Sequence, residues 1–274
     1  MDAGEPINET AQPDWRVIGA AVQGISHRRL GLPSQDAQDH RVLPAGVLLV
    51  AVADGAGSAD RSDQGARCAV TGALAALADA LETGLPEESA GWESLMCMAF
   101  EQARQAVERL ADEAGEPVRA FATTLTCALV AGDRLVVGQL GDGAVILMDP
   151  TGTLTAATRL QRGEYANETY FLTQEQALEQ MEIQCLEQPV RALAMMSDGL
   201  TRLALSLPSQ EPYLPFFNPL FAFASAATDE EMAADQLAAF LDSERVCART
   251  DDDKALVLAV RPSKGVPGIE PAPE

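Results

Sequence analysis

The sequence predicts an α+β protein built on largely antiparallel sheets. Three observations favour that class: strands and helices come in blocks, short hairpin turns join neighbouring strands, and two alanine-rich segments have apolar residues at helical spacing. With 47% hydrophobic and 22% charged side chains, the 274 residues can form a sizeable core. No internal linker is evident, so one domain is predicted over residues 15–261, between flexible tails at 1–14 and 262–274.

The first part of the chain predicts two strands and then two helices. Strands are expected at 15–22 and 47–53, and the second is apolar throughout, which indicates burial on both faces. Segments 63–81 and 92–114 have the helical period.

The second part of the chain predicts short strands, one helix and a final strand. The strands are expected at 123–131, 135–140, 144–148, 181–186, 190–196 and 255–260, and the helix at 230–241. Segments 181–186 and 190–196 are interpreted as a strand pair. Residues 205–225 fit no element, and packing in the core is favoured over a substrate-facing flap for the four phenylalanines there, Phe216, Phe217, Phe221 and Phe223.

The charge of the chain excludes two classes of partner. It has 41 acidic and 19 basic side chains, a formal net charge of −22, which opposes binding to nucleic acid and to anionic membranes. The longest apolar run, at 47–53, is far below the ~20 residues of a spanning helix, and the N-terminus has no basic leader. Five scattered cysteines without a C-x-x-C pair indicate a reducing compartment. We therefore expect a cytoplasmic protein, and a monomer.

Most familiar catalytic arrangements are absent from the sequence. The histidines, His27 and His40, are both near the N-terminus, and neither a G-x-S-x-G elbow nor a G-x-x-x-x-G-K-[ST] phosphate loop occurs. Because cysteine and histidine do not cluster, a zinc site of that kind is not expected.

The remaining candidates for functional residues are aspartates that lie beside glycines at the ends of apolar strands. Asp54, Asp142 and Asp198 have this setting, residues 251–253 precede the last strand, and Asp36 is a further candidate. Carboxylates gathered at one sheet edge need a cation, and oxygen ligands alone favour Mg²⁺ or Mn²⁺. Two such ions suit the hydrolysis of a phosphoester. Solvated Asp-Gly turns are the alternative interpretation of the same residues.

Five sequence blocks, taken in order, resemble a known family, the metal-dependent protein phosphatases of the protein phosphatase 2C type. The first of these blocks, 26–37, ends in Gln35-Asp36-Ala37 and is similar to the bacterial branch of the family, and so is a further stretch outside the five blocks, 163–169. The remaining blocks are Val52-Ala53-Asp54-Gly55-Ala56-Gly57, Gly141-Asp142-Gly143, Ser197-Asp198-Gly199-Leu200 and Thr250-Asp251-Asp252-Asp253-Lys254-Ala255. The resemblance implies a phosphatase-like catalytic domain over 15–261, folded as a four-layer α-β-β-α sandwich of two antiparallel sheets flanked by helices.

The resemblance also implies a set of metal ligands. Asp54 would bridge two ions and Gly55 would offer its carbonyl, whereas Asp36 would help hold one ion through water. Asp198 and Asp252 would hold the other ion, and Asp142 with Asp198 would support a third, weaker one. Asp252 is preferred to its neighbours Asp251 and Asp253 because the family's Asp-Asn/Asp-x-Thr pattern then falls on residues 252–255.

Three positions depart from the family pattern. Gly31 stands where an arginine often grips the substrate phosphate, so Arg28, Arg29 or His27 is the candidate for that task, with solvated surface as the alternative for the arginines. Gln35 replaces a common glutamate, and Ala56 replaces a histidine that some members use as a general acid.

The resulting expectation is a Mn²⁺- or Mg²⁺-dependent phosphatase acting on phosphoserine or phosphothreonine in proteins. Asp54, Asp198 and Asp252 would be its catalytic residues, and a metal-bridging hydroxide would attack the phosphorus. Its substrates would be phosphoproteins that a Ser/Thr kinase has phosphorylated. The net charge predicts a preference for phosphosites flanked by Lys or Arg. A catalytically silent phosphoprotein-binding or scaffolding domain on the same fold is the alternative.

Overall fold

The computed structural model describes residues 15–161, 169–206 and 208–262. Its strands are Arg16–Val22 (β1), Asp36–Leu43 (β2), Val47–Asp54 (β3), Leu125–Ala131 (β4), Arg134–Leu140 (β5), Ala144–Met148 (β6), Leu154–Ala156 (β7), Glu182–Glu187 (β8), Ala192–Met196 (β9), Leu205–Ser206 (β10), Glu211–Pro212 (β11) and Lys254–Val260 (β12). Its α-helices are Ile25–Leu30 (α1), Ser62–Leu81 (α2), Ser89–Ala114 (α3), Thr201–Ala204 (α4), Leu214–Ala226 (α5), Glu230–Leu241 (α6) and Glu244–Cys247 (α7).

Two five-stranded antiparallel sheets form the centre of the protein. The first sheet has the order β1-β12-β9-β6-β7 and the second sheet the order β2-β3-β4-β5-β8. One apolar cluster fills the space between the sheets, a second joins α2 and α3 to the second sheet, and a third joins α5 and α6 to the first sheet. The predicted α+β class and the four-layer α-β-β-α sandwich are thereby confirmed.

Strand β3 shows why an apolar run without alternation forms a strand here. Leu48, Val50 and Val52 face the layer between the sheets, whereas Leu49 and Ala51 face α2 and α3. All five are at most 2% exposed. Because successive side chains of a strand point to opposite faces, a strand covered on both sides needs apolar residues at every position. The predicted burial of this strand on both faces is confirmed.

The outer helices pack by two different means. Helices α2 and α3 meet through fully buried alanines, among them Ala69, Ala73 and Ala103, which allow their backbones to approach closely. Helices α5 and α6 instead cover the first sheet with large side chains, including Phe217 and Leu237. Packing in the core, the favoured interpretation of the phenylalanine-rich segment, is confirmed for Phe217 and Phe221, both within 3% of full burial.

One predicted strand pairing is wrong. The segments expected to pair with each other became β8 and β9, but β8 pairs with β5 in the second sheet and β9 pairs with β6 and β12 in the first. The local pattern specifies a strand and not its partner. It therefore does not show that the chain crosses from the second sheet to the first at residues 188–191. Helices α1 and α5 and strand β2 were also not predicted.

Several strand ends meet at one end of the sandwich. Asp36 at the start of β2 pairs with Asp54 at the end of β3, and Met196 at the end of β9 pairs with Ala144 at the start of β6. Strand β12 starts at the same end, since Leu256 near its start pairs with Met196. This end therefore collects the loops that carry the conspicuous aspartates.

Two further expectations concern the ends of the chain and the membrane. The predicted tails at 1–14 and 262–274 lie outside the described residues, apart from Pro262. Within the three described ranges, every helix is too short or too polar to cross a bilayer.

Candidate metal centre

Three aspartates from separate loops come together at the shared end of the sheets. Asp54 follows β3, Asp142 lies between β5 and β6, and Asp198 follows β9. Each offers a carboxylate oxygen, and these oxygens lie within 4.8 Å of one another. We call these three residues the acidic cluster; all are half-buried. Because its members come from both sheets, the cluster depends on the packing of one sheet on the other.

The backbone of Asp54 is held by two threonines that precede β4. Its N–H donates to Thr124 Oγ1 at 2.9 Å, and its carbonyl accepts from the Thr124 N–H at 2.8 Å and from Thr123 Oγ1 at 3.1 Å. With these backbone groups satisfied, the Asp54 carboxylate is free to face the cluster.

Two buried glutamines hold the Gly-Asp-Gly crossover that carries Asp142. Gln139, at 2% exposure in β5, donates from Nε2 to the carbonyls of Gly141 and Gly143 at 3.0 and 2.8 Å. Gln161 accepts from the Gly141 N–H through Oε1 at 2.8 Å. The crossover therefore meets the hydrogen-bonding requirement of buried backbone through side chains.

The Asp198 loop is pressed against the start of β12. A Cβ placed on Gly199 would lie 2.0 Å from the carbonyl oxygen of Asp253, so only glycine fits between these two segments. Thr201 Oγ1 donates to the Asp198 carbonyl at 2.8 Å and closes the turn. This close packing explains why a glycine follows Asp198 in the sequence.

Asp36 lies beside the cluster and is almost completely buried, at 6% exposure. Ser197 donates from Oγ to Asp36 Oδ2 at 2.5 Å, and the same Oγ accepts from the Ala255 N–H at 2.9 Å. Ser197 therefore links a carboxylate of the second sheet to strand β12 of the first.

Burial and mutual repulsion raise the pKa values of these carboxyls. Burial raises the pKa of Asp36 to about 8, with Asp253 and Asp198 adding to the rise. Burial also raises the pKa of Asp198 to about 6, and Asp142 adds to it. The pKa of Asp54 is raised well above its usual value, first by burial and then by its acidic neighbours. Burial raises the pKa of Asp142 as well. The site is thus unfavourable for negative charge when it holds no cation.

The residues present suit divalent metal ions. The donors of the cluster are carboxylates only, which match the hard oxygen ligands of Mg²⁺ and Mn²⁺. The side-chain oxygen of Gln35, next to Asp36, is buried and has no hydrogen-bond partner among the described residues. A cation would relieve the repulsion that the raised pKa values report.

The three consecutive aspartates before β12 have different surroundings. Asp253 is buried and turned away: it accepts from the N–H groups of Gly24 and Gln35 at 2.5 Å each and pairs with His27 Nδ1 at 2.8 Å. Asp252 is exposed, and its charge raises the pKa of Asp36, Asp54, Asp142 and Asp198. These surroundings favour Asp252 over Asp253 as the group available to an ion.

The structure places the three phosphate-binding candidates on or beside α1. His27 is paired with Asp253, and Arg28 donates to Asp242 and to the Gln23 carbonyl. Arg29 is exposed and forms no ion pair or side-chain hydrogen bond with a described residue. Gly31 caps α1 with a φ of 69°, a left-handed conformation that explains glycine where an arginine often stands.

Sequence reasoning missed the residues that support the aspartates. Ser197 and Gln139 were not singled out, although Gln139 is a polar residue in an otherwise apolar strand, a signal that was available. Thr124 offered no comparable signal. Of the stretch 163–169, residues 163–168 lie outside the described residues, and Thr169 donates to Asp142 Oδ2 at 3.2 Å.

A carboxylate cluster of this kind at the end of a four-layer sandwich suits a metal-dependent hydrolase. Residues 23–242 match the protein phosphatase 2C family. The chain is 35% identical over 252 residues to serine/threonine-protein phosphatase 3 of Escherichia coli (strain K12), covering 90% of this chain and 98% of that protein. The chain therefore belongs to the protein phosphatase 2C family.

Solved structures share the fold. A bacterial serine phosphatase superposes with a TM-score of 0.59 at 16% identity, covering 91% of this chain and 99% of the other. The serine/threonine phosphatase of S. agalactiae gives a TM-score of 0.59 at 16% identity, covering 90% and 99%. At these identities the likeness concerns the fold alone.

Proposed function

We propose that this protein is a Mn²⁺- or Mg²⁺-dependent phosphatase that hydrolyses phosphoserine and phosphothreonine in proteins. The observation that carries the proposal is the acidic cluster, whose oxygens lie within 4.8 Å in a chain of the protein phosphatase 2C family. The 35% identical relative that is named a serine/threonine-protein phosphatase supports the choice of substrate class.

Two metal ions, with a third bound more weakly, would be held by one set of oxygen donors. These are the carboxylates of Asp36, Asp54, Asp142, Asp198 and Asp252 and the carbonyl of Gly55. When bound, divalent ions neutralise charge on the phosphoryl oxygens and lower the pKa of the attacking water. Asp54, Asp198 and Asp252 are the residues we assign to catalysis.

Two groups beside this site that could act as nucleophile or base, the Ser197 hydroxyl and the His27 imidazole, already have other partners among the described residues. The Ser197 hydroxyl is already engaged with Asp36 and Ala255, and His27 is paired with Asp253 rather than with a serine or cysteine. The chemistry therefore needs no covalent phosphoenzyme. Of the three cationic candidates for the substrate phosphate, Arg29 is the one without a described partner, so we assign this contact to Arg29.

The cellular setting follows from the chemistry. Substrates of this kind are made by protein kinases that phosphorylate serine or threonine. The five cysteines are free, which supports action in a reducing cytoplasm. We also propose that residues 15–261 act as one catalytic domain and that the protein is monomeric, which light scattering after size-exclusion chromatography can test.

The test is hydrolysis of p-nitrophenyl phosphate and of a phosphothreonine peptide, with Mn²⁺ and with EDTA. We expect Mn²⁺-dependent activity that Asp198→Asn abolishes, whereas Asp79→Asn, an exposed aspartate of α2, serves as the unaffected control. Activity that persists in EDTA would contradict the metal-dependent assignment. Mn²⁺ binding by calorimetry without any hydrolysis would instead favour a silent phosphoprotein-binding domain.

A further inference from the structure

A cavity of about 620 Å³ lies among α4, β10, α5, α6 and α7, outside the acidic cluster. Half-buried aromatic side chains of Phe216, Phe223 and Phe240 form much of its wall. Tyr213 and Leu214, 48% and 51% exposed, extend this apolar surface at the start of α5. Cavities of this size and lining are typical of binding sites.

The charge of this cavity is opposite to that of the molecule. The chain has 41 acidic and 19 basic side chains, yet the described residues that line the cavity include three arginines, Arg202, Arg245 and Arg249, and no aspartate or glutamate. All three are exposed, and none forms an ion pair with a residue that the structure describes. A cationic rim around an apolar wall is complementary to a ligand with carboxylates beside bulky apolar groups.

The cavity is next to the candidate metal centre. Arg202 lies in α4, directly after the turn that starts at Asp198, and Arg249 precedes Asp252 by three residues. Consecutive Cα atoms are 3.8 Å apart, so the Cα atoms of Arg249 and Asp252 are at most about 11 Å from each other. The cavity rim at Arg249 is therefore close enough to Asp252 for neighbouring parts of one peptide to reach both.

We propose that this cavity docks an acidic and apolar segment of the phosphoprotein substrate, at a distance from the phosphorylated residue. The proposal rests on the proposed function. A peptide is favoured over a compact ligand because the apolar surface continues from Tyr213, on the cavity wall, onto the exposed Leu214. The arginines are also spread over α4, α7 and the turn that follows α7. The substrate class is then a phosphoprotein with glutamate or aspartate beside leucine or phenylalanine in this segment.

The kinetic test uses phosphothreonine peptides that carry a glutamate–leucine–phenylalanine–glutamate segment about 4, 8 or 12 residues from the phosphothreonine. Matched peptides have serine in place of the apolar pair, or lysine in place of the glutamates. We expect the intact segment at the best spacing to lower KM about tenfold with kcat unchanged. The difference in KM between the intact and the matched peptides should shrink at high salt, because the arginines and glutamates that attract each other are exposed.

Protein variants locate the effect. Arg245→Glu and Arg249→Glu should each remove most of the KM advantage while hydrolysis of p-nitrophenyl phosphate stays the same. Arg109→Glu is the charge-matched control, because Arg109 is exposed on α3, which packs on the second sheet. This variant should keep the lower KM for the intact peptide. Equal KM values for all peptides, or an advantage that survives both cavity variants, would overturn the proposal.

A binding measurement separates docking from catalysis. Fluorescence anisotropy with the unphosphorylated segment needs no turnover, so it reports on docking even if the enzyme proves silent. Binding that Arg245→Glu weakens about tenfold supports the proposal. No peptide binding, together with a thermal shift by decanoate that Arg245→Glu abolishes, would assign the cavity to a small amphipathic anion and overturn it.

Discussion

At the scale of single residues, two facing aspartates show how differently one residue type is used. Asp36 and Asp54 are register partners at the ends of β2 and β3. Asp36 is nearly buried and accepts a hydrogen bond from Ser197, whereas Asp54 is fixed through its backbone and keeps its carboxylate within the cluster. The Asp36 carboxyl thus has a hydrogen-bond partner in the protein, whereas the Asp54 carboxyl faces the other carboxyls of the acidic cluster.

Asp54→Asn should abolish activity and stabilise the metal-free protein. Removing one charge relieves the repulsion among clustered carboxylates, but it also removes a metal ligand. We expect the turnover of p-nitrophenyl phosphate to fall at least about 100-fold. The Tm in EDTA should rise, by about 2–4 °C for each kcal/mol of repulsion removed. Calorimetric scans with and without Mn²⁺ check this, and Asp79→Asn should change neither quantity.

The metal-free protein should lose stability as the pH rises. The pKa of Asp198 is about 6 and that of Asp36 about 8, against 3.8 for an ordinary aspartate. The folded state therefore binds more protons than the unfolded chain between about pH 4 and pH 8. The free energy of unfolding contributed by these groups therefore falls with rising pH in that window. Tm values in EDTA at about pH 5 and about pH 8 measure it. Asp36→Asn should flatten the dependence, and a Tm that rises with pH in wild type would contradict it.

At the scale of elements, the crossover from β5 to β6 is the segment that joins the two sheets at the metal centre. Its Gly-Asp-Gly turn is held by hydrogen bonds from side chains rather than by backbone hydrogen bonds between strands, and Gln139 donates to two of its carbonyls. Asp142 is consequently positioned by a residue from inside β5.

Gln139→Leu should loosen this crossover and weaken metal binding. Leucine fills a similar volume but leaves the carbonyls of Gly141 and Gly143 without their donor, at a cost of about 1–3 kcal/mol for each buried group left unsatisfied. Chemical denaturation should show the loss, and calorimetry should show weaker Mn²⁺ binding. Gln105→Leu, on the exposed side of α3, is the matched control. An unchanged Mn²⁺ affinity would mean that the turn holds Asp142 without this donor.

At the scale of the whole molecule, the first and last described residues close the sandwich together. Strands β1 and β12 pair along their full lengths. The Arg261 guanidinium lies 4.6 Å from the centre of the Trp15 ring, and Trp15 is 1% exposed. The β1 and β12 ends of the described chain are therefore held against each other in the first sheet.

A chain reduced to residues 15–262 should keep the activity and stability of the full chain. We expect hydrolysis of p-nitrophenyl phosphate within about twofold of the full-length rate, since every assigned ligand remains. Trp15→Ala in the full chain should by contrast cost about 3–5 kcal/mol, because it empties a core position. A shortened chain that unfolds or loses activity would show that the tails belong to the catalytic unit.

The sequence by itself determined the positions of helices α2, α3 and α6 and of most strands of the two sheets, together with the residue types of the site. Helical and strand periods depend on neighbouring residues, and aspartates beside glycines at strand ends are visible without coordinates. The extended run of β3 and the helix at 230–241 were predicted within one residue of their observed bounds.

Only the tertiary structure decided which strands pair and which aspartates meet. The partner of β8 lies in the second sheet and that of β9 in the first, a choice made by the packing of whole layers and not by local pattern. The same packing turned Asp253 inward onto Gly24 and Gln35 and left Asp252 exposed beside the acidic cluster. Arginines far apart in sequence likewise came to line one cavity, because the folding of α4 to α7 over the first sheet brings them together.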